Sequence, residues 1–498
     1  MDQDLDIERC DFESRINNTT HHTDQNGLDR LIVRRGLPFT ITLHLKSGSQ
    51  FQAGVSTFRL IVETGPLPKE QSGTKSTFSL TDSTSKTAWS ASITSPPGNV
   101  VSLSVSSPPD VPIGLYSLTL DQGQKVKLGE FVLLFNPWCA KDAVYMEEER
   151  DRQEYVLSQA GLIYKGTTKR IKASPWTFGQ FEAGMLDICL KLLDENPKYS
   201  LDVDADCSGR RNPVYVTRVI SAMINSNDDK GVLVGNWSGD YDDGVRPSHW
   251  TDSVAILHQW ADNCCQRVRY GQCWVFAAVA CTVSRALGIP CRVVTNFGSA
   301  HDTNSNLMIE FLYDEDGNDI SDDSVWNFHV DPTPQEKSEG VFCCGPVPLK
   351  AIKEGELTLK YDAPFVFAEV NADVVEYMKL TNGRMVKMRG SSMDVGHFIS
   401  TKAVGSDERH DITHLYKYPE GRPHVCRTHK IRPVFKRLPL RLEYVDYGDT
   451  ITSDRLIQLV LIIIESSPRE FHKAKRTIVL ENPDIAIKVL IIFFTNSF

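Results

Sequence analysis

Tyr270-Gly-Gln-Cys273-Trp-Val-Phe-Ala-Ala-Val-Ala-Cys281-Thr-Val-Ser-Arg-Ala-Leu287-Gly-Ile-Pro290 decides the architecture. From Val275 to Leu287 the run is almost wholly apolar and helix-forming, too short to span a membrane and too continuous for a half-exposed surface helix. Gly288 stands where a helix places its C′ residue, and Pro290 follows where the chain cannot turn helical again. The pattern therefore predicts a buried helix with Cys273 on its first turn. That turn carries unpaired backbone N–H groups and the positive end of the helix dipole, which favour thiolate over thiol. Position alone does not decide the matter, because most free cysteines pack as small hydrophobes.

Downstream, Ser324-Val-Trp-Asn-Phe-His329 reads as a strand ending in histidine, followed by Val330-Asp331-Pro332. Cys, His and Asp in that order are the parts of a papain-like triad, in which imidazole takes the thiol proton and a carboxylate fixes its tautomer. Strands dominate after Arg292: Arg292–Thr295, Asn306–Tyr313 with an Asp316-Gly317 turn, and Val325–His329. Helical stretches precede the cysteine, over Gln153–Gly161, Phe178–Asn196, Pro213–Ile224 and Thr251–Asn263. The first ~135 residues are rich in Ser, Thr and Gly, with short alternating runs at Thr57–Val62, Val101–Val105 and Leu115–Leu120 that suggest a β-sandwich.

Composition narrows the function. A formal charge of −10 over 498 residues argues against nucleic acid, whose phosphates demand clustered Lys and Arg. The opening Met1-Asp-Gln-Asp-Leu-Asp6 is not a signal peptide, and Leu459–Ile464 and Val489–Phe494 are too short for transmembrane segments. Twelve cysteines without a secretory signal point to free thiols in a reducing, cytoplasmic setting.

The words GQCWVFAAVACT, RVVTNFGSAHDTNSN, WNFH, DPTPQEKSEG, CCGPVPLKAIKEG, KYDAPFVFAEVNADVV and DITHLYKYPEG, in this order, resemble the transglutaminase family, and most closely its tissue type. The resemblance runs from about Asn136 to Gly421 and more loosely over the N-terminal region. It implies an immunoglobulin-like β-sandwich over 1–135, an α+β papain-like catalytic core over 136–425, and over 426–498 a remnant of a β-barrel domain. It implies protein-glutamine γ-glutamyl transfer through a Cys273 thioester, with His329 and Asp331 completing the triad and the indole N–H of Trp237 stabilising the oxyanion. Substrates would be protein glutamines as donors and lysines or polyamines as acceptors, with deamidation as a side reaction. Matrix or cytoskeletal proteins are the expected partners, and family members reach the matrix without a signal peptide.

The resemblance also implies calcium. Asn225, Asn227 and Asp229 match one of the family's loops, and Asp302, Asn304, Asn306 and Asp323 match a second. Asn371, Asp373 and Glu420 match a third, which lacks the acidic residues that usually follow. Such Asn/Asp strings are otherwise most often solvated turns. Neither of the first two is an EF-hand, since Lys230 and Leu307 occupy the glycine position.

Two departures separate this chain from the family. A stretch between His329 and Asp331 is missing, leaving them joined through Val330 alone. Residues i and i+2 of a strand lie on one face about 6–7 Å apart with parallel side chains, a poor geometry for an imidazole–carboxylate bond. The C-terminal barrels are also reduced to two apolar strands, Leu459–Ile464 and Ala486–Phe494. Arg476 matches one guanine-nucleotide contact, but the rest of that pocket is not recognisable. Vicinal Cys343-Cys344 matches a family redox pair whose partner cysteine is Ser226 here. A catalytically impaired relative that binds partners as a scaffold is therefore the alternative to the enzyme, and a papain-like protease, using the same triad, is a third reading.

Overall fold

The structure, a computed structural model, describes residues 5–51, 58–85, 87–95, 98–226, 231–330, 346–359 and 363–419, with the backbone of Ile462–Glu465 and Lys488–Ile491. Asn227, Asp229, Asp331, Cys343, Cys344, Glu420 and Arg476 lie outside the described residues.

The N-terminal part is two sheets packed face to face. One has the order Ile7–Asp11, Phe39–Leu45, Val100–Ser106, Ser90–Ile93; the other Ile32–Arg34, Lys125–Leu134, Gly114–Asp121, Arg59–Thr64, Lys75–Ser79. Alternation along the strands sends Ile41, Leu43, Leu103, Val105, Leu118 and Leu120 into one apolar core, closed by stacked Phe78–Trp89 and Tyr116–Phe131. Burying the phenol of Tyr116 is satisfied locally, its hydroxyl donating to the Pro112 carbonyl at 2.7 Å.

A second core surrounds the cysteine helix, Cys273–Ala286, in which every residue but Trp274 is buried. Gln272 stands at its N-cap in extended conformation. At the other end Gly288 takes φ +89°, its N–H donating to Arg285 O at 3.0 Å while Ile289 N–H donates to Ser284 O at 2.9 Å, the paired bonds of a Schellman cap. A Cβ on Gly288 would lie 2.5 Å from the Phe135 carbonyl oxygen. Gly288→Ala is accordingly expected to lose at least ~2 kcal/mol, from the left-handed φ and the displaced carbonyl together, read by urea denaturation.

Around this helix, Ser324–His329, Thr295–His301, Phe398–Lys402 and Arg409–Asp411 form an antiparallel sheet in that order. A smaller sheet runs Met308–Tyr313, Asp373–Lys379, Met385–Ser391, its first pair parallel. The helix Ala363–Asn371 connects the two. The C-terminal strands Ile462–Glu465 and Lys488–Ile491 pair antiparallel with each other.

Tertiary context moved several elements. Residues 160–177, expected to be helical at their start, form a hairpin of Ala160–Thr167 and Arg170–Thr177, and helix before it ends at Leu157. Gly161 explains part of this, since a Cβ there would lie 2.8 Å from the Phe178 ring that packs on it. The stretch Phe178–Asn196 is helical over Met185–Asp194. The strand expected at Arg292–Thr295 begins at Thr295 and runs to His301, while Pro213–Ile224 is helical as anticipated, with Asn212 capping it and Pro213 in its first turn. Among the described residues no helix is long and apolar enough to cross a membrane.

Candidate active site

Two neighbouring strands deliver the candidate groups. Leu233–Gly235 pairs parallel with Val268–Gly271, the first leading into Trp237 and the second into Cys273. Gln272 ties the two exits together, its side-chain N–H donating to Asn236 O at 2.9 Å and to the Tyr241 hydroxyl at 3.0 Å. Gly235 is needed because Trp237 packs on it, a Cβ there meeting the indole at 2.5 Å. Trp237 is half-buried at the edge of the main core.

Cys273 is buried at 3% exposure. Burial pushes its thiol up to about 11, against the opposing pull of backbone N–H groups from Val330 and Trp274 and of Lys165. Lys165 projects from the hairpin, its ammonium 4.5 Å from the Trp274 ring centroid. Burial likewise holds it below the usual lysine range, and the Cys273 thiolate opposes that. The resting site is thus a neutral thiol beside a cation, in a cradle of backbone donors.

His329 ends its strand opposite Asn296 and is 5% exposed. Among the described residues neither ring nitrogen has a hydrogen-bond partner, Cys273 included. Its Nε2 instead lies 3.6 Å from Oε1 of Glu369, which is fully buried on the helix Ala363–Asn371. Burial drives the imidazole well below its ordinary value, with His301 adding to the effect, and drives the Glu369 carboxyl well above, against a hydrogen bond from Ser299. Both shifts favour the uncharged forms.

The second Asn/Asp loop is folded around Asp302, which is fully buried. Its Oδ1 accepts from the Asn304 and Asn306 N–H groups at 3.2 and 3.3 Å, and its Oδ2 from Leu307 N–H at 2.6 Å. Asp323 braces the loop, accepting from Thr303 and Glu310 N–H at 2.9 Å. Left-handed Ser305 and Leu307, at φ 58° and 65°, turn the chain inward, and among the described residues the buried Ser305 hydroxyl has no partner. Burial, with the Asp323 charge adding, pushes the Asp302 carboxyl up to about 6. Two facing buried carboxylates and an orphan hydroxyl fit a hard oxygen-seeking cation. Asp373 starts the strand that pairs parallel with Met308, so it lies at the same end of the sheet as this loop, with Asn371 two residues before it. Asn225 is buried and bridges to Leu233. Among the described residues no three His, Cys, Asp or Glu side chains gather as a metal site.

Glu369, Ser299 and Lys165 were not singled out from the sequence. Glu369 carried a signal, as the one charged residue inside Pro364-Phe-Val-Phe-Ala-Glu369-Val370.

A family model described as Transglutaminase family matches residues 8–123, and one described as Transglutaminase-like superfamily matches residues 240–332. Protein-glutamine gamma-glutamyltransferase 2 of Bos taurus is 44% identical over 98% of this chain and 86% of its own length. That alignment spans 595 positions against a chain of 498, so the relative carries segments that have no counterpart here. Protein-glutamine gamma-glutamyltransferase 5 of Mus musculus is 48% identical over 84% of this chain and 62% of its own. The solved structure of red sea bream transglutaminase superposes with a TM-score of 0.77 at 40% identity, covering 86% of this chain and 68% of that one.

Proposed function

This chain belongs to the transglutaminase family of acyltransferases, and from that premise we propose that it is a calcium-dependent protein-glutamine γ-glutamyltransferase. The observation that carries the reading is Cys273 on the first turn of a buried helix, with backbone donors directed at its sulfur, inside the matched core. The thiol attacks the γ-carboxamide carbon of a protein glutamine as His329 takes its proton, and the oxyanion is held by the Cys273 N–H and the Trp237 indole. Collapse expels ammonia, which leaves with the proton from His329, and a thioester remains. A lysine ε-amine or a polyamine then attacks the thioester, giving an isopeptide and returning the thiol; water in its place gives glutamate. Asp331 is the family-matched third member of the triad.

Asp302, Asn304, Asn306 and Asp323 would hold one calcium ion, with Asn225, Asn227 and Asp229 at a second site and Asn371, Asp373 and Glu420 at a third. Bound calcium supplies counter-charge to carboxylates that otherwise repel one another. Substrates are protein surfaces, with matrix or cytoskeletal proteins among them, and all nine described cysteines are unbridged, in keeping with cytoplasmic action.

The test is incorporation of a labelled primary amine into a glutamine-rich protein, with and without millimolar calcium. Labelling should require calcium, and Asp302→Asn should raise the calcium concentration needed by about tenfold, ~1.4 kcal/mol; the same shift should appear in calcium-induced stabilisation against heat. Labelling that is equal without calcium would sink the metal dependence.

The second reading, a scaffold without catalysis, is favoured by one observation: among the described residues the His329 imidazole has no hydrogen-bond partner. Absence of labelling from folded, calcium-loaded protein would select it.

A further inference from the structure

We propose that Glu369 is the positioning residue for His329 in this chain: its Oε1 accepts the Nε2–H of the imidazole and leaves Nδ1 to take the Cys273 proton. This rests on the acyl-transfer reading above.

Three observations lead to it. First, Oε1 of Glu369 is 3.6 Å from His329 Nε2, so a movement of about 0.7 Å makes a hydrogen bond of ordinary length. Secondly, unsatisfied groups collect at this point. Among the described residues, His329 Nδ1 and Nε2 and Glu369 Oε2 are buried without partners, as is Oδ1 of Asn296, the residue opposite His329 across the sheet. Buried polar atoms are nearly always paired, and a native exception calls for an explanation, a catalytic role among them. Thirdly, Glu369 is rigidly held. Its helix is buried, its carbonyl accepts from Asn296 Nδ2 at 2.9 Å, and its Oε1 accepts the Ser299 hydroxyl at 3.1 Å. Ser299 in turn accepts from Asn296 at 2.9 Å. A group that orients another must itself be immobile.

Proton placement follows from this geometry. Ser299 occupies one lone pair of Oε1, and His329 Nε2 lies 3.6 Å from the same oxygen, which keeps a second lone pair. Oε1 therefore accepts an N–H whether or not Oε2 carries a proton, and the imidazole is held as the Nε2–H tautomer with a free lone pair on Nδ1. The Cys273 sulfur receives the N–H of Val330, the next residue after His329, so the thiol lies beside the end of the strand that carries the imidazole. When the thiol attacks, its proton passes to Nδ1 while the Nε2 proton stays on the Glu369 bond; when ammonia leaves, the Nδ1 proton departs with it.

The test reads the tautomer directly, independent of transfer activity. In full-length protein labelled with ¹⁵N-histidine, with the His329 signals assigned by their loss in His329→Gln, the parent is expected to show the Nε2–H tautomer. Glu369→Ala is expected to give a tautomer mixture, whereas near-isosteric Glu369→Gln, which fills the same space and keeps the acceptor oxygen, retains the parent tautomer. In amine incorporation, Glu369→Ala should lower kcat by roughly 10²–10⁴ with KM within about threefold, and Glu369→Gln should stay within about tenfold of the parent. An unchanged tautomer in Glu369→Ala overturns the proposal, as does a tautomer that shifts in Asp331→Asn and not in Glu369→Ala. A parent that transfers no amine refutes the acyl-transfer reading, and the tautomer still decides the role of Glu369.

Discussion

Replacing Cys273 by serine is expected to abolish amine incorporation, by a factor of ~10⁶ in kcat, while leaving the fold intact. The exchange of sulfur for oxygen alters no packing of consequence, because the side chain is small and the donors around it are backbone groups. What it removes is the atom able to form a thioester. The serine hydroxyl, with a far higher pKa and no bonded base, cannot replace it. The same site should show a characteristic pH response. Burial places the resting thiol at about 11, so alkylation of Cys273 by iodoacetamide should rise about tenfold per pH unit from neutrality toward that value. Lys165 favours the thiolate, so Lys165→Met should slow the reaction across this range. Alkylation that is already fast and flat above pH 6 would mean that the thiolate is stabilised by a contact other than those described.

Asp142→Ala is expected to destabilise the protein by about 3–5 kcal/mol. Arg35 and Asp142 are both buried, with side-chain exposures of 1% and 0%. Nε and Nη2 of Arg35 donate to the two carboxylate oxygens at 2.7 and 2.8 Å, and Nη1 donates to the carbonyls of Val111 and Arg211 at 2.6 and 2.8 Å. Asp142 also accepts the N–H groups of Asn136 and Val144. The pair therefore fastens the N-terminal sandwich to the segment that follows it, Asn136–Val144. Removing the carboxylate leaves a guanidinium buried among carbonyls with no counter-charge, which is why the effect exceeds the net worth of the pair. Replacing both partners, as Arg35→Met with Asp142→Leu, should recover much of the loss. A loss under ~1 kcal/mol for Asp142→Ala on urea denaturation would refute this account.

Much of the fold could be read from the chain because its signals are local. The cysteine helix declares itself by an unbroken apolar run and by Gly288, which takes the positive φ that the cap requires. Sandwich strands follow from alternation, and Val101–Val105 lies within the observed Val100–Ser106. The hairpin Ala160–Thr167/Arg170–Thr177 was missed because its outward faces carry neither strict alternation nor a strong turn pair, and its stability comes from partners elsewhere. Pairing of Asp373 with Met308, which brings two Asn/Asp loops to one end of a sheet, likewise has no local cue.

By itself the sequence determined the family, the layered α+β architecture and the placement of a cysteine at the start of a buried helix. Each of these is written in periodicity, capping and short words whose physics acts within a few residues. The tertiary structure alone decided what surrounds those groups. Burial raised the Cys273 thiol, the sheet end brought Val330 N–H to its sulfur, and packing of the helix Ala363–Asn371 set Glu369 beside His329. Desolvation and proximity depend on which distant segments meet, and that information exists only once the chain has closed on itself.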